Sequence, residues 1–100
     1  MKSLKSLFYP RNIVVIGASD KPARLGYIIV KNLRELGYQG QVYPINPRLA
    51  GRELLGYKAY SNIKEVPDEV DLALVLVGAQ ASLQALRECA EKGVKSAVVF

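Results

Sequence analysis

Apolar residues follow two rhythms along this chain. Ile13-Val14-Val15-Ile16 is an unbroken β-branched run ending at Gly17, the pattern of a strand buried on both faces in a parallel sheet. From Gly26 the spacing changes. Ile29, Val30, Leu33 and Leu36 recur every three to four residues, Lys31, Arg34 and Glu35 take the other side, and Gly37 ends the pattern. This predicts an amphipathic helix. Gln41 to Ile45 reads as a second strand closed by Asn46-Pro47, and Tyr57 to Tyr60 as a short third. Ser61 to Val66 predicts a helical turn or two, capped by Ser61 and stopped by Pro67. Leu72 to Val77, the most hydrophobic stretch, predicts a buried fourth strand. Ala81 to Lys92 predicts a second helix with Leu83, Leu86 and Ala90 on its apolar face and Gly93 after it, and Val94 to Phe100 a fifth strand.

Strands alternating with helices imply βαβ units, right-handed crossovers and a parallel sheet. The expected fold is therefore α/β, a Rossmann-like doubly wound parallel sheet with strand order 3-2-1-4-5. Residues 1–100 form one domain, without repeats or an internal linker. A buried parallel strand rarely closes a domain uncovered, so the expectation is a fragment of a longer polypeptide.

Composition narrows the chemistry. Half the residues are hydrophobic, as a packed core requires, yet there is no histidine, no tryptophan and a single cysteine. That excludes a Ser-His or Cys-His catalytic pair, a histidine-built metal site and a disulfide framework. No catalytic residue and no metal ligand is assigned. Cys89, flanked by Leu86 and Ala90, is expected to pack as a small hydrophobe. One unpaired thiol fits a reducing compartment, so a cytoplasmic location is expected. Met1 to Lys5 resembles the basic start of a secretory signal, but Pro10, Arg11 and Asn12 interrupt the apolar stretch that such a signal requires. The run from Leu72 to Ala79 is too short for a membrane span, so a soluble chain is expected.

Charge is unevenly spread. Residues 1–60 carry ten Lys/Arg against three acids, whereas residues 61–100 carry four against six. A basic first half suits either an anionic ligand or simple solubility. The loop after the first strand runs Gly17-Ala18-Ser19-Asp20-Lys21-Pro22-Ala23-Arg24-Leu25-Gly26. It lacks the middle glycine of the dinucleotide fingerprint, and the second strand ends on Asn46 rather than on an acid for the ribose. Both departures argue against NAD, while Arg48 leaves room for the 2′-phosphate of NADP. No Gly-Lys-Ser/Thr is found after the loop, so a Walker loop is absent. Lys21 and Arg24 in the first loop and Arg48 after the second strand would meet at one sheet edge. Backbone amides at the helix start, Leu25 to Tyr27, would join them. Three cations there imply a ligand with several phosphate charges; either loop cation alone reads equally well as a solvated charge. Gly17 and Gly26 are required for turn geometry and close helix packing in either case. Tyr27 stands near enough to approach a ligand, whereas Tyr9, Tyr38, Tyr43, Tyr57 and Tyr60 are expected in half-buried surface packing. No basic stripe interleaves with aromatics, so nucleic acid is not an expected partner.

Several segments together resemble the CoA-binding domain of ADP-forming acyl-CoA ligases, a group that includes acetate–CoA ligase and is similar to the succinyl-CoA synthetase alpha subunit. They are Leu7 to Asn12, Ile13 to Ser19, Leu25-Gly26-Tyr27, Tyr43 to Arg48, Val70 to Ala73 and Gly93-Val94-Lys95. The resemblance covers nearly the whole chain and implies coenzyme A as ligand. It implies that Gly17, Ala18, Ser19, Lys21, Arg24, Leu25 and Gly26 hold the CoA phosphates. It also implies that Asn46, Pro47 and Arg48 lie against the adenosine moiety and its phosphates. After the fourth strand the family has Val-Pro-Ala near the pantetheine path; here Val77-Gly78-Ala79 departs from it. A further ligand loop of the family comes after the fifth strand, outside these residues.

The family joins an acid to CoA with a nucleoside triphosphate, through an acyl phosphate and a phosphohistidine. The resemblance therefore implies that other ligase domains or a partner subunit supply the catalysis, and that this segment holds CoA or acyl-CoA. Two other settings share the loop: a stand-alone CoA-binding or regulatory protein, and the inactive ligase-like domain of a lysine acetyltransferase.

Overall fold

The computed structural model describes residues 10–100. The expectations placed on Leu7, Phe8, Tyr9 and the basic start fall outside that range. Four parallel strands form the sheet: β1 (Asn12–Ile16), β2 (Gln41–Ile45), β5 (Leu72–Val75) and β6 (Ser96–Val99), in the order β2-β1-β5-β6. This is the expected doubly wound, Rossmann-like arrangement. Helix α1 (Leu25–Glu35) crosses from β1 to β2 on one face, and α2 (Ala79–Lys92) crosses from β5 to β6 on the other. Strand side chains alternate between the two cores. Ile13, Val15 and Val42 pack with Val30 of α1, while Val14, Ile16, Ala73 and Val75 pack with Ala85 and Cys89 of α2.

The third strand differs from expectation. Residues 57–60 do not form a parallel neighbour of β2; Tyr60 alone bridges Ile45 in parallel, and β4 (Tyr57–Lys58) pairs antiparallel with β3 (Glu53–Leu54). Pro44 gives the reason. The amides of Gln41 and Asn46 point respectively to Arg11 on the β1 side and to Tyr60 on the outer side. Alternation then sends the position of Pro44's missing N–H outward, so a full third strand would lose a ladder bond there. The hairpin closes through Leu55 and Gly56, both at positive φ (52° and 89°), as a two-residue type I′ turn demands.

The helices also correct their expected faces. Leu36 is 85% exposed beyond the end of α1, which instead buries Gly26 and Val30. On α2 the buried stripe is Ser82, Ala85 and Cys89; Leu83 and Leu86 are exposed, as is Ala90. Ser82 tolerates burial because its hydroxyl donates to the Val77 carbonyl (3.0 Å). The turn predicted over 61–66 is a short 3₁₀ segment, Ile63–Glu65, capped by the Asn62 side chain rather than by Ser61. Tyr43 is buried rather than half-exposed, and its hydroxyl donates to Asp68. Tyr27 packs against the α1-side core instead of the loop.

At the N-terminal ends of the strands Asp71 is buried. It accepts a hydrogen bond from the Arg11 amide (2.7 Å), and Lys95 Nζ (3.2 Å) and Arg11 Nε (3.7 Å) pair with it. Burial by itself would raise this carboxyl's pKa; the Arg11 amide and the Lys95 ammonium outweigh it and hold the group below its ordinary value. No helix among the described residues is long and apolar enough to cross a membrane.

Candidate functional site: a two-lobed crevice at the C-terminal strand ends

The loop from β1 into α1 turns on two glycines. Gly17 has φ +98°, and a Cβ on it would lie 2.9 Å from the Leu76 carbonyl oxygen. A Cβ on Gly26 would lie 2.1 Å from the Gly17 carbonyl oxygen. Only hydrogen fits at either place, and the first turn of α1 therefore seats directly on the loop. The amides of Gly17 and Ala18 both donate to the Ile45 carbonyl (3.2 and 3.3 Å), tying the loop to β2. Ser19, almost buried, accepts from the Lys21 amide with its hydroxyl (3.0 Å).

Asn46 joins this loop to the next. Its side-chain Nδ2 donates to the Ala18 carbonyl (2.8 Å) and its Oδ1 accepts from the Arg48 amide (2.8 Å). In a dinucleotide site an acid here would take the ribose hydroxyls; Asn46 instead spends both ends of its carboxamide on the protein. It shapes a wall of the site that it also lines.

The result is a crevice with two lobes that share Gly17 and Asn46. The polar lobe, about 250 Å³, is lined by Gly17, Ala18, Ser19, Lys21, Arg24, Leu25, Gly26, Asn46, Arg48 and Leu76. The three cations predicted from the two loops thus line one cavity, and none of them makes an ion pair among the described residues. No acid lies in the first turn of α1, so the positive end of the helix is uncompensated. Of the amides expected to be free, those of Leu25 and Gly26 have no acceptor among the described residues, whereas that of Tyr27 is used by the Arg24 carbonyl (3.1 Å).

The apolar lobe, about 360 Å³, lies on the α2 side and was not foreseen as a pocket. Pro47 and Val77 line it, together with Ile45, Ile63, Ala81, Gln84 and Glu88. Ala81, Gln84 and Glu88 recur every three to four residues, and that spacing is the one signal the sequence carried for this wall. Gly78 is the exception among the predicted residues. It is exposed at the start of α2 and lines neither lobe. Cys89 lies one residue past Glu88 but faces the core; burial, with Glu88 adding to it, pushes its thiol up to about 11. Among the described residues no cluster of His, Cys, Asp or Glu has the makings of a metal site.

A cavity with free amides, loose cations and an adjoining apolar slot suits a nucleotide bearing several phosphates. Comparison with known proteins gives this arrangement a family. The model of the CoA binding domain matches residues 11–100. The alpha subunit of acetate–CoA ligase [ADP-forming] I from Pyrococcus furiosus is 48% identical over 95 residues, covering 93% of this chain and 21% of the relative. The dinucleotide-forming acetyl-coenzyme A synthetase 1 of Ca. Korarchaeum cryptofilum, solved with phosphate and ADP, superposes with TM-score 0.92 at 43% identity, over 99% of this chain and 21% of that one. A conserved hypothetical protein of Pyrococcus furiosus superposes with TM-score 0.80 at 36% identity, over 90% of this chain and 74% of that one. The chain thus spans about a fifth of the ligase relative's length. Matched from Arg11 to Phe100, it belongs to the CoA-binding domain family.

Proposed function

We propose that this chain binds coenzyme A in the two-lobed crevice, as the CoA-holding part of a longer ADP-forming acyl-CoA ligase. The observation that carries the proposal is the convergence of Lys21, Arg24 and Arg48, without an ion pair among the described residues, on the start of α1 beside an apolar lobe. Coenzyme A offers matching chemistry: a pyrophosphate, a 3′-phosphate and a flat adenine on one end. The pyrophosphate goes over the Gly17–Gly26 loop, with Ser19, Leu25 and Gly26 amides and Lys21 or Arg24 as donors. The 3′-phosphate goes to Arg48, and the adenine to the slot walled by Pro47, Ile63 and Gln84. Val77 and Gly78 border the exit toward the thiol end. Acyl transfer and nucleotide hydrolysis belong, in this proposal, to other domains or a partner subunit, in the cytoplasm. The solved short relative that this chain covers by 74% supports a second setting, a compact stand-alone CoA binder.

Calorimetric titration of CoA, dephospho-CoA, NADH and NADPH into the chain at low salt tests the proposal. Preference for CoA over dephospho-CoA is expected. Preference for a nicotinamide cofactor would overturn it.

A further inference from the structure

We infer that Asn46 is a positioning residue that locks the orientation of the Ala18–Ser19 peptide, so that the anion lobe meets an N–H rather than a carbonyl. The inference rests on the CoA reading of that lobe and goes beyond it by assigning a residue that need not touch the ligand. In a trans peptide the carbonyl and the following N–H point to opposite sides. With the Ala18 carbonyl held by Asn46 Nδ2 at 2.8 Å, the Ser19 N–H is turned away from Asn46, and it has no acceptor among the described residues. A flipped peptide would aim the Ala18 carbonyl dipole at the lobe, where it would repel phosphate. The loop does not depend on Asn46 for its place, because the Gly17 and Ala18 amides hold the Ile45 carbonyl independently. What Asn46 adds is the choice between two peptide orientations. Its other end fixes the Arg48 amide at 2.8 Å, so one carboxamide sets the spacing of both anion-binding loops.

Two variants separate these duties. Asn46→Ala removes both hydrogen bonds, while Asn46→Asp keeps an acceptor for the Arg48 amide and loses the donor to Ala18. On titration with CoA, the Ser19 amide proton of the wild type should move downfield, as a donor to phosphate does, and in both variants it should not. CoA affinity should fall about tenfold in Asn46→Ala, the size of one lost hydrogen bond to a charged group. The preference for CoA over dephospho-CoA should survive in Asn46→Asp and shrink in Asn46→Ala. A merely structural role would lower affinity for both ligands equally and leave the Ser19 shift in place, and that result would overturn the inference. So would Asn46→Ala binding CoA within twofold of wild type. Should the wild type ignore CoA altogether, the CoA reading fails by itself; inorganic pyrophosphate then probes the same Ser19 shift.

Discussion

At the N-terminal ends of the strands the chain closes its charges on one another, and at the C-terminal ends it leaves them open. Asp71 is buried and satisfied by an amide and two cations. Lys21, Arg24 and Arg48 face a cavity with no acid among the described residues to answer them. The difference teaches how one small sheet divides its work. A carboxylate that gains its partners on folding contributes stability. Cations that gain none are held in reserve for a ligand, and their mutual repulsion is a small standing cost. Changes at the closed end should therefore move stability and spare binding, and changes at the open end should do the reverse.

The harshest break of that division is Gly26→Ala, because this residue lines the open end and also seats α1 on the loop. A methyl group 2.1 Å from the Gly17 oxygen forces α1 off the loop. We expect a loss of about 3 kcal/mol or more, a fall in melting temperature of more than about 10 °C, and no measurable CoA binding. Differential scanning calorimetry and ligand titration read the two effects. Asp71→Asn comes next, with about 1–3 kcal/mol of stability lost at neutral pH and CoA affinity unchanged. Its pH dependence is set by the lowered pKa of the folded state. The carboxylate's contribution is fully present above the unfolded value near about 3.9 and is lost as pH falls through the lower folded value. The gap in denaturation midpoint between wild type and Asn should therefore narrow on acidification from pH 5 to about pH 2. A constant gap would mean that Asp71 acts by shape rather than charge.

Arg48→Ala or Arg24→Ala sharpens the comparison from the other end. CoA affinity should weaken by about 1–3 kcal/mol with the melting temperature nearly unchanged. For Arg48 the loss should be smaller with dephospho-CoA, and equal losses would remove the 3′-phosphate from its reach. The smallest effect is expected at Cys89→Ser. CoA binding should stay within a factor of a few in a titration, because the thiol packs in the α2-side core and is not a thiolate near neutral pH.

Much of the fold was legible in the strands. Ile13 to Ile16 and Leu72 to Val75 carry the unbroken β-branched or aliphatic runs of doubly buried parallel strands, and both stand in the middle of the sheet. What failed depends on direction. Pro44 is compatible with strand β2, but that its missing N–H faces outward is fixed only by register. The apolar face of α2 was misplaced because hydrophobicity singled out Leu83 and Leu86. The buried face uses small residues instead: Ala85 and Cys89 share the core with Ala73, and Ser82 is buried with its hydroxyl hydrogen-bonded to Val77. The anion lobe was readable because its parts lie in two short loops joined to adjacent strands. The apolar lobe was not, since its walls come from four separate segments and meet only in the fold.

Pro44 has a consequence for assembly. It leaves the outer side of β2 without one donor, and that side is further occupied by the Tyr60 bridge. β6 is paired only with β5 among the described residues, and the amides of Ala97 and Val99 point away from that partner. Head-to-tail polymerisation of sheets needs two receptive edges on each subunit. Among the described residues, the β2 edge of the four-stranded sheet is obstructed. A strand arriving from another molecule therefore finds a poor template along β2, and growth of the sheet in that direction is blocked by a single missing N–H and one bridge.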